Sequence, residues 1–244
     1  MKKQLILSAI AAVALGAPAA SMAESLDFNY KVDRFADIEV LRYKVPDFEQ
    51  LTIQQKELVY YLTEAALYGR DILTDQNGKY NLAIRTTLEN IYKNYDGSKD
   101  DADYKGFVLY LKQVWFANGI HHHYSTDKFT PQFSQAFFET QVKKLSKKQL
   151  PLKKGQTVDA FLKEITPVIF DPTVMAKRVN QANGQDLILT SANNYYEGVT
   201  QAEVEQFYAA MKKTANPEAP ISYGLNSPLV KRDGNLVEEV YIVG

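Results

Sequence analysis

His121, His122 and His123 are consecutive, and they are the only histidines among the 244 residues. Imidazole is the side chain that most often binds metal or moves protons near neutral pH, so this cluster is where chemistry would be sought first. Its spacing works against a metal site. Neighbouring side chains point about 100° apart on a helix and to opposite faces of a strand, so three in a row do not easily converge on one ion. A zinc helix needs histidines four apart, and none are present. The sequence also contains no Gly-x-Ser-x-Gly elbow, phosphate-binding glycine loop or dinucleotide fingerprint. With no cysteine there is no thiol nucleophile and no thiolate metal site. The carboxylate pairs Asp100-Asp101 and Glu238-Glu239 fall in a turn and on a hairpin strand, where solvation explains them better than acid–base catalysis. What fits the histidines is a polar loop or the wall of a substrate cleft. Asn193-Asn194-Tyr195-Tyr196 suits either a turn or a surface that offers hydrogen bonds beside an aromatic plane.

The elements that would position these residues are mainly helical. From Thr52, Leu58, Tyr61, Leu62, Ala65, Tyr68 and Ile72 recur at three- and four-residue steps, and Thr52 with Gln55 predicts a capping box. Tyr80, Ile84, Leu88, Ile91, Tyr92 and Tyr95 mark a second helix face that ends at Asp96-Gly97-Ser98. Tyr104, Val108, Leu111 and Trp115 mark a third, ending at Asn118-Gly119. Shorter helices are predicted at Ser134 to Leu145 and Thr157 to Ile165, with one more opening at Asp171-Pro172. Leu187-Ile188-Leu189-Thr190 reads as a strand. Thr200 with Glu203 caps a helix whose apolar face is Val204, Phe207, Tyr208 and Met211. Asp233-Gly234 between Leu229–Arg232 and Asn235–Val243 predicts a type I′ hairpin. The expected fold is α+β, mainly helical with a small antiparallel sheet. It divides into a helical layer over 52–180 and a strand–helix–hairpin stretch over 186–244.

Composition and termini narrow the setting. The 28 Lys and Arg nearly balance the 29 Asp and Glu, net charge −1, and the lysines at 143–154 come as solvated pairs without interleaved aromatics; nucleic acid is not an expected partner. Lys2-Lys3, an apolar run to Ala20 and Ser21-Met22-Ala23 form a secretory signal over residues 1–23. The run is broken by Gly16 and Pro18 and is too short for a membrane span. An exported protein, periplasmic or secreted, is expected. The last residues, Val240 to Gly244, make an apolar strand with no charge or proline to blunt its edge, so the sequence reads as a fragment.

The run Trp115-Phe116-Ala117-Asn118-Gly119-Ile120-His121-His122-His123-Tyr124-Ser125-Thr126-Asp127-Lys128-Phe129-Thr130-Pro131 resembles the dipeptidyl-peptidase III family, bacterial branch. Ala65-Ala66-Leu67-Tyr68-Gly69, Phe170-Asp171-Pro172-Thr173-Val174-Met175, Thr190 to Phe207 and Leu225 to Val243 are similar to it in the same order. The resemblance implies that residues 24–244 are the N-terminal part of the lower lobe of a two-lobed, zinc-dependent exopeptidase. Such an enzyme releases dipeptides from short peptides with a free N-terminus. The family's His-Glu-x-x-Gly-His helix, which carries two zinc ligands and the general base, has no counterpart here. No catalytic or metal-ligating residue is therefore carried over, and zinc is not expected to bind this chain alone. The missing C-terminal portion of the same protein becomes the expected partner. Tyr124 falls where the family lines the pocket for the substrate's second residue from the cut, with His123 and His121 flanking it. Bound peptide would add as a strand. The alternatives are an exported peptide- or glycan-binding module without catalysis, and a structural or assembly protein.

Overall fold

The computed structural model describes residues 28–239 except 215, 217 and 219–226, so the signal segment and the last strand of the sequence reading lie outside the described residues. Contacts divide the chain into two units, residues 1–56 and 57–244.

In the first unit, β1 (Lys31–Phe35) and β2 (Ile38–Leu41) form an antiparallel hairpin about Ala36-Asp37. The sequence pattern predicts no element here. Ala36 takes the left-handed conformation at φ 48°, which closes the turn without a glycine. The pairing is extended by Arg42 N–H donating to the Tyr30 carbonyl, and the Arg42 guanidinium lies 4.8 Å from the centre of the Phe28 ring.

Helix α1 (Ile53–Tyr68) opens on the expected capping box: Gln55 N–H donates to Thr52 Oγ1, and Thr52 N–H donates to Gln55 Oε1. Gly69 then separates it from α2 (Arg70–Asn77), so what the pattern joined as one helix is two. The core of the second unit is built from α3 (Asn81–Asn94), α4 (Ala102–Ala117), α5 (Gln135–Lys144) and α6 (Val158–Phe170). Their starts follow local chemistry, with Asp101, Ser134 and Thr157 each accepting an N–H of the first turn. Ile84, Leu88 and Ile91 of α3 meet Phe107, Leu111 and Val114 of α4, all at most 1% exposed. At about 1.5–3 kcal/mol per fully buried large apolar side chain, this seam holds the unit together. Tyr92 and Trp115, expected on these inner faces, sit at the margin instead, where Trp115 Nε1–H donates to Glu89.

Two predicted elements are replaced by turns. Asp171-Pro172 opens a single turn rather than a helix, because Met175 takes φ 51° and the backbone after it pairs with the 126–128 segment. Leu187 to Thr190 is a capped turn, not a strand. The Asp186 carboxylate accepts the N–H groups of Ile188 and Leu189, and Thr190 N–H returns to the Asp186 carbonyl. The strand of this region is instead β3 (Tyr196–Glu197), parallel to β4 (Leu229–Arg232), which pairs antiparallel with β5 (Asn235–Glu238). Asp233 and Gly234 both have positive φ, as the predicted hairpin turn requires. Helix α7 (Gln201–Thr214) carries its Thr200–Glu203 box and buries Val204 against Val199 and Leu229. The fold is α+β. Among the described residues no helix is long and apolar enough to cross a membrane.

Candidate functional site

Helix α4 ends at Asn118, whose left-handed backbone (φ 51°) turns the chain into Gly119 and then into a narrow ribbon. Phe129 N–H donates to the Ile120 carbonyl, His121 bridges Lys128, and His122 N–H donates to the Asp127 carbonyl. Residues 123–126 are the tip. A third stretch completes the arrangement: Lys128 N–H donates to the Ala176 carbonyl and Arg178 N–H to the Thr126 carbonyl.

The three predicted site residues fall at different depths on this ribbon. His121 is 2% exposed, and its Nε2 lies 2.7 Å from the Met175 carbonyl, so that nitrogen carries the proton and donates. Burial pushes its pKa down to about 4, and the ring is neutral. His121 therefore lies under the ribbon rather than on a surface that meets substrate. His123 is half-buried, its ring 4.3 Å from that of Tyr124 and 5.0 Å edge-on to Phe116. Tyr124 stands at the tip, 85% exposed. The structure thus brings His123 and Tyr124 together as an aromatic step beginning at Phe116, with His121 as its footing.

The footing has further members that sequence reasoning passed over. The Lys128 ammonium donates to the carbonyls of Val168, Asp171 and Val174, which gathers the end of α6 and the following turn beneath the ribbon. These carbonyls lie at and just beyond the C-terminal end of α6, where a cation also complements the helix dipole. Burial holds Lys128 below its ordinary pKa. Lys128 belongs to the Lys-Phe-x-Pro of the sequence run, but its acceptors lie 40 or more residues away, so no local signal marks this role. Arg178 donates to Asn77 and to the His123 carbonyl, while Asn77 Nδ2 donates to the Asn118 carbonyl. Asp127, at the edge of the tip, pairs with Lys177 at 2.6 Å, and side-chain hydrogen bonds from Lys177 and Ser125 hold its carboxyl below the usual range. Deeper in the same unit, burial raises the Asp75 carboxyl, to which Asn194 Nδ2 donates. The Asn193–Tyr196 stretch thus includes one residue that packs rather than faces a ligand. A cleft of about 310 Å³ lies between the 127–131 segment and the 169–177 turn.

This arrangement can offer an exposed phenol and an imidazole on a braced backbone, which suits holding a ligand by stacking and hydrogen bonds. Two of the imidazole nitrogens are already engaged by the backbone. His121 Nε2 is occupied by the Met175 carbonyl and His122 Nδ1 by two backbone N–H groups. Among the described residues no three His, Asp or Glu side chains gather at one point. No protein-family model matches the chain, and no curated protein does either.

Proposed function

We propose that the chain is the N-terminal portion of a dipeptidyl-peptidase III type zinc exopeptidase. In this reading it supplies part of the wall that receives the N-terminal residues of a short peptide. The observation that carries the reading is Tyr124, 85% exposed at the tip of a ribbon whose base, His121, is 2% exposed. An exposed aromatic on an unbraced loop would lose much of its binding energy to ordering, whereas a buried footing removes part of that cost. His123 beside it adds a second ring and a polar edge. The ordered similarity of the histidine run and the later segments to that family supports the same assignment. The chemistry belongs to a zinc-binding helix outside these residues, so the proposal assigns this chain recognition and not bond cleavage.

The test is calorimetric titration of the 244-residue protein with tetraalanine, alongside Tyr124→Ala. Saturable binding that weakens about tenfold or more in the variant is expected, the usual scale for losing an aromatic anchor. No dipeptide release is expected, with or without added zinc. Release of dialanine would overturn the division of labour, and binding indifferent to Tyr124 would overturn the site. The non-catalytic binding module makes the same binding prediction but requires no zinc helix in the continuing coding sequence. Reading that sequence past the codon for Gly244 separates the two.

A further inference from the structure

The backbone N–H groups of residues 124–127 donate to two side chains and one turn carbonyl. His122 Nδ1 accepts the N–H groups of Tyr124 at 3.2 Å and of Ser125 at 3.1 Å. The His122 carbonyl accepts Thr126 N–H, and Ser125 Oγ accepts Asp127 N–H. The loop that presents Tyr124 is thus wound around His122, and two of its bonds depend on a nitrogen lone pair. An imidazole has that lone pair at Nδ1 only when neutral with its proton on Nε2. Once protonated, both nitrogens are donors. A donor would then face two donors.

We infer that His122 is a positioning residue for Tyr124 and makes its presentation pH-dependent: neutral His122 winds the tip, and protonation releases it. The inference rests on the peptide-binding reading for what Tyr124 is used for, but the winding itself stands on the bonds just described. The groups around His122 include the rings of His123 at 4.5 Å, Tyr124 at 6.3 Å and Phe129 at 6.0 Å, together with the Asp127 carboxylate, which is paired with Lys177. His121 lies beneath the ribbon at the Met175 carbonyl and keeps the base in place while the tip changes.

Asparagine is the informative replacement. Its short side-chain oxygen accepts the N–H two residues on, as in Asx turns, and it does not titrate. The experiment follows the backbone amides of Tyr124 and Ser125 by nitrogen–proton NMR and hydrogen exchange, from about pH 7.5 to about pH 5, in the full 244-residue protein. Wild type, His122→Asn and His122→Ala are compared, with Thr126 as the internal reference because its N–H goes to a carbonyl. In the wild type the Tyr124 and Ser125 signals should move together, and their exchange relative to Thr126 should quicken about tenfold at the acid end. His122→Asn should stay slow at both ends and His122→Ala fast at both. Amides that respond to pH alike in wild type and His122→Asn, or that do not respond in the wild type, overturn the inference. Tetraalanine affinity measured in parallel should fall with pH in the wild type and hold in His122→Asn. Binding that ignores the tip's change overturns the positioning role. Absence of tetraalanine binding at any pH, with the amides behaving as expected, overturns the peptide-binding reading and leaves the winding standing.

Discussion

Helices α1 and α4 have the same length, 16 residues, and both carry apolar residues at helical spacing, yet they end in opposite environments. Helix α4 buries Tyr104, Gly106, Phe107, Tyr110, Leu111, Val114 and Ala117. Helix α1 buries none of its residues, and Leu58, Tyr61 and Leu62 are each 58% exposed or more. Periodicity fixes which residues share a face, but only a facing surface decides whether that face leaves water. For α4 the surface is α3 with Phe129, Phe133 and Phe138.

The comparison breaks most sharply at Gly106, in the middle of α4. A β-carbon there would sit 1.8 Å from the Gln132 carbonyl oxygen and 2.5 Å from its carbon, so the helix touches the following loop backbone only because no side chain intervenes. Alanine is intrinsically the better helix former by about 1 kcal/mol. Overpacking against a backbone that cannot rotate away outweighs this, and Gly106→Ala should lose roughly 3 kcal/mol or more in urea denaturation. A neutral or stabilising result would mean that α4 is not pressed on that loop.

A middle-sized effect follows where α4 hands over to the ribbon. His121 is buried and neutral, with its pKa at about 4 in the folded chain against the ordinary 6.5 of an unfolded one. Between those values the unfolded state binds the extra proton, so stability is full above about pH 6.5 and falls as the pH drops toward 4. At 1.36 kcal/mol per pKa unit, the loss is about 3 kcal/mol at the acid end. Denaturation midpoints at pH 7 and pH 4.5 should separate in the wild type and draw together in His121→Gln, which keeps a donor but cannot titrate. An equal drop in both would move the acid sensitivity to other groups.

What could be read in advance was chemistry contained within a few residues. Ser134, Thr157 and the Thr200–Glu203 box start helices by accepting N–H groups three residues on, and Asp233-Gly234 supplies two positive φ values in sequence order. The predicted strand at Leu187 failed at the same scale. The apolar run outweighed the Asp186 cap that precedes it, and a lone cap before three apolar residues is a weak signal. The site was legible in identity but not in depth. His121, His123 and Tyr124 look alike as candidates until the Met175 carbonyl, 54 residues on, accepts the His121 Nε2–H and draws that ring under the ribbon, while Tyr124 stays outside. Lys128 is invisible for the same reason, since its partners belong to the end of α6 and the turn after it. Long-range acceptors decide which polar residues are structural, and a single sequence does not show them.

The smallest expected effect is the other half of the comparison. Replacing Leu58 and Leu62 by Gln keeps helix propensity nearly constant while removing apolar surface that α1 already shows to water. Each change should alter stability by no more than about 0.5 kcal/mol, the range for surface substitutions, and the helix content seen by circular dichroism should hold. The capping box at Thr52 and Gln55 sustains the first turn whatever those leucines become. A loss near 2 kcal/mol for either leucine would instead have the size of a buried large-to-small change. Helices α1 and α4 would then differ in which surface covers them, and no longer in whether one does.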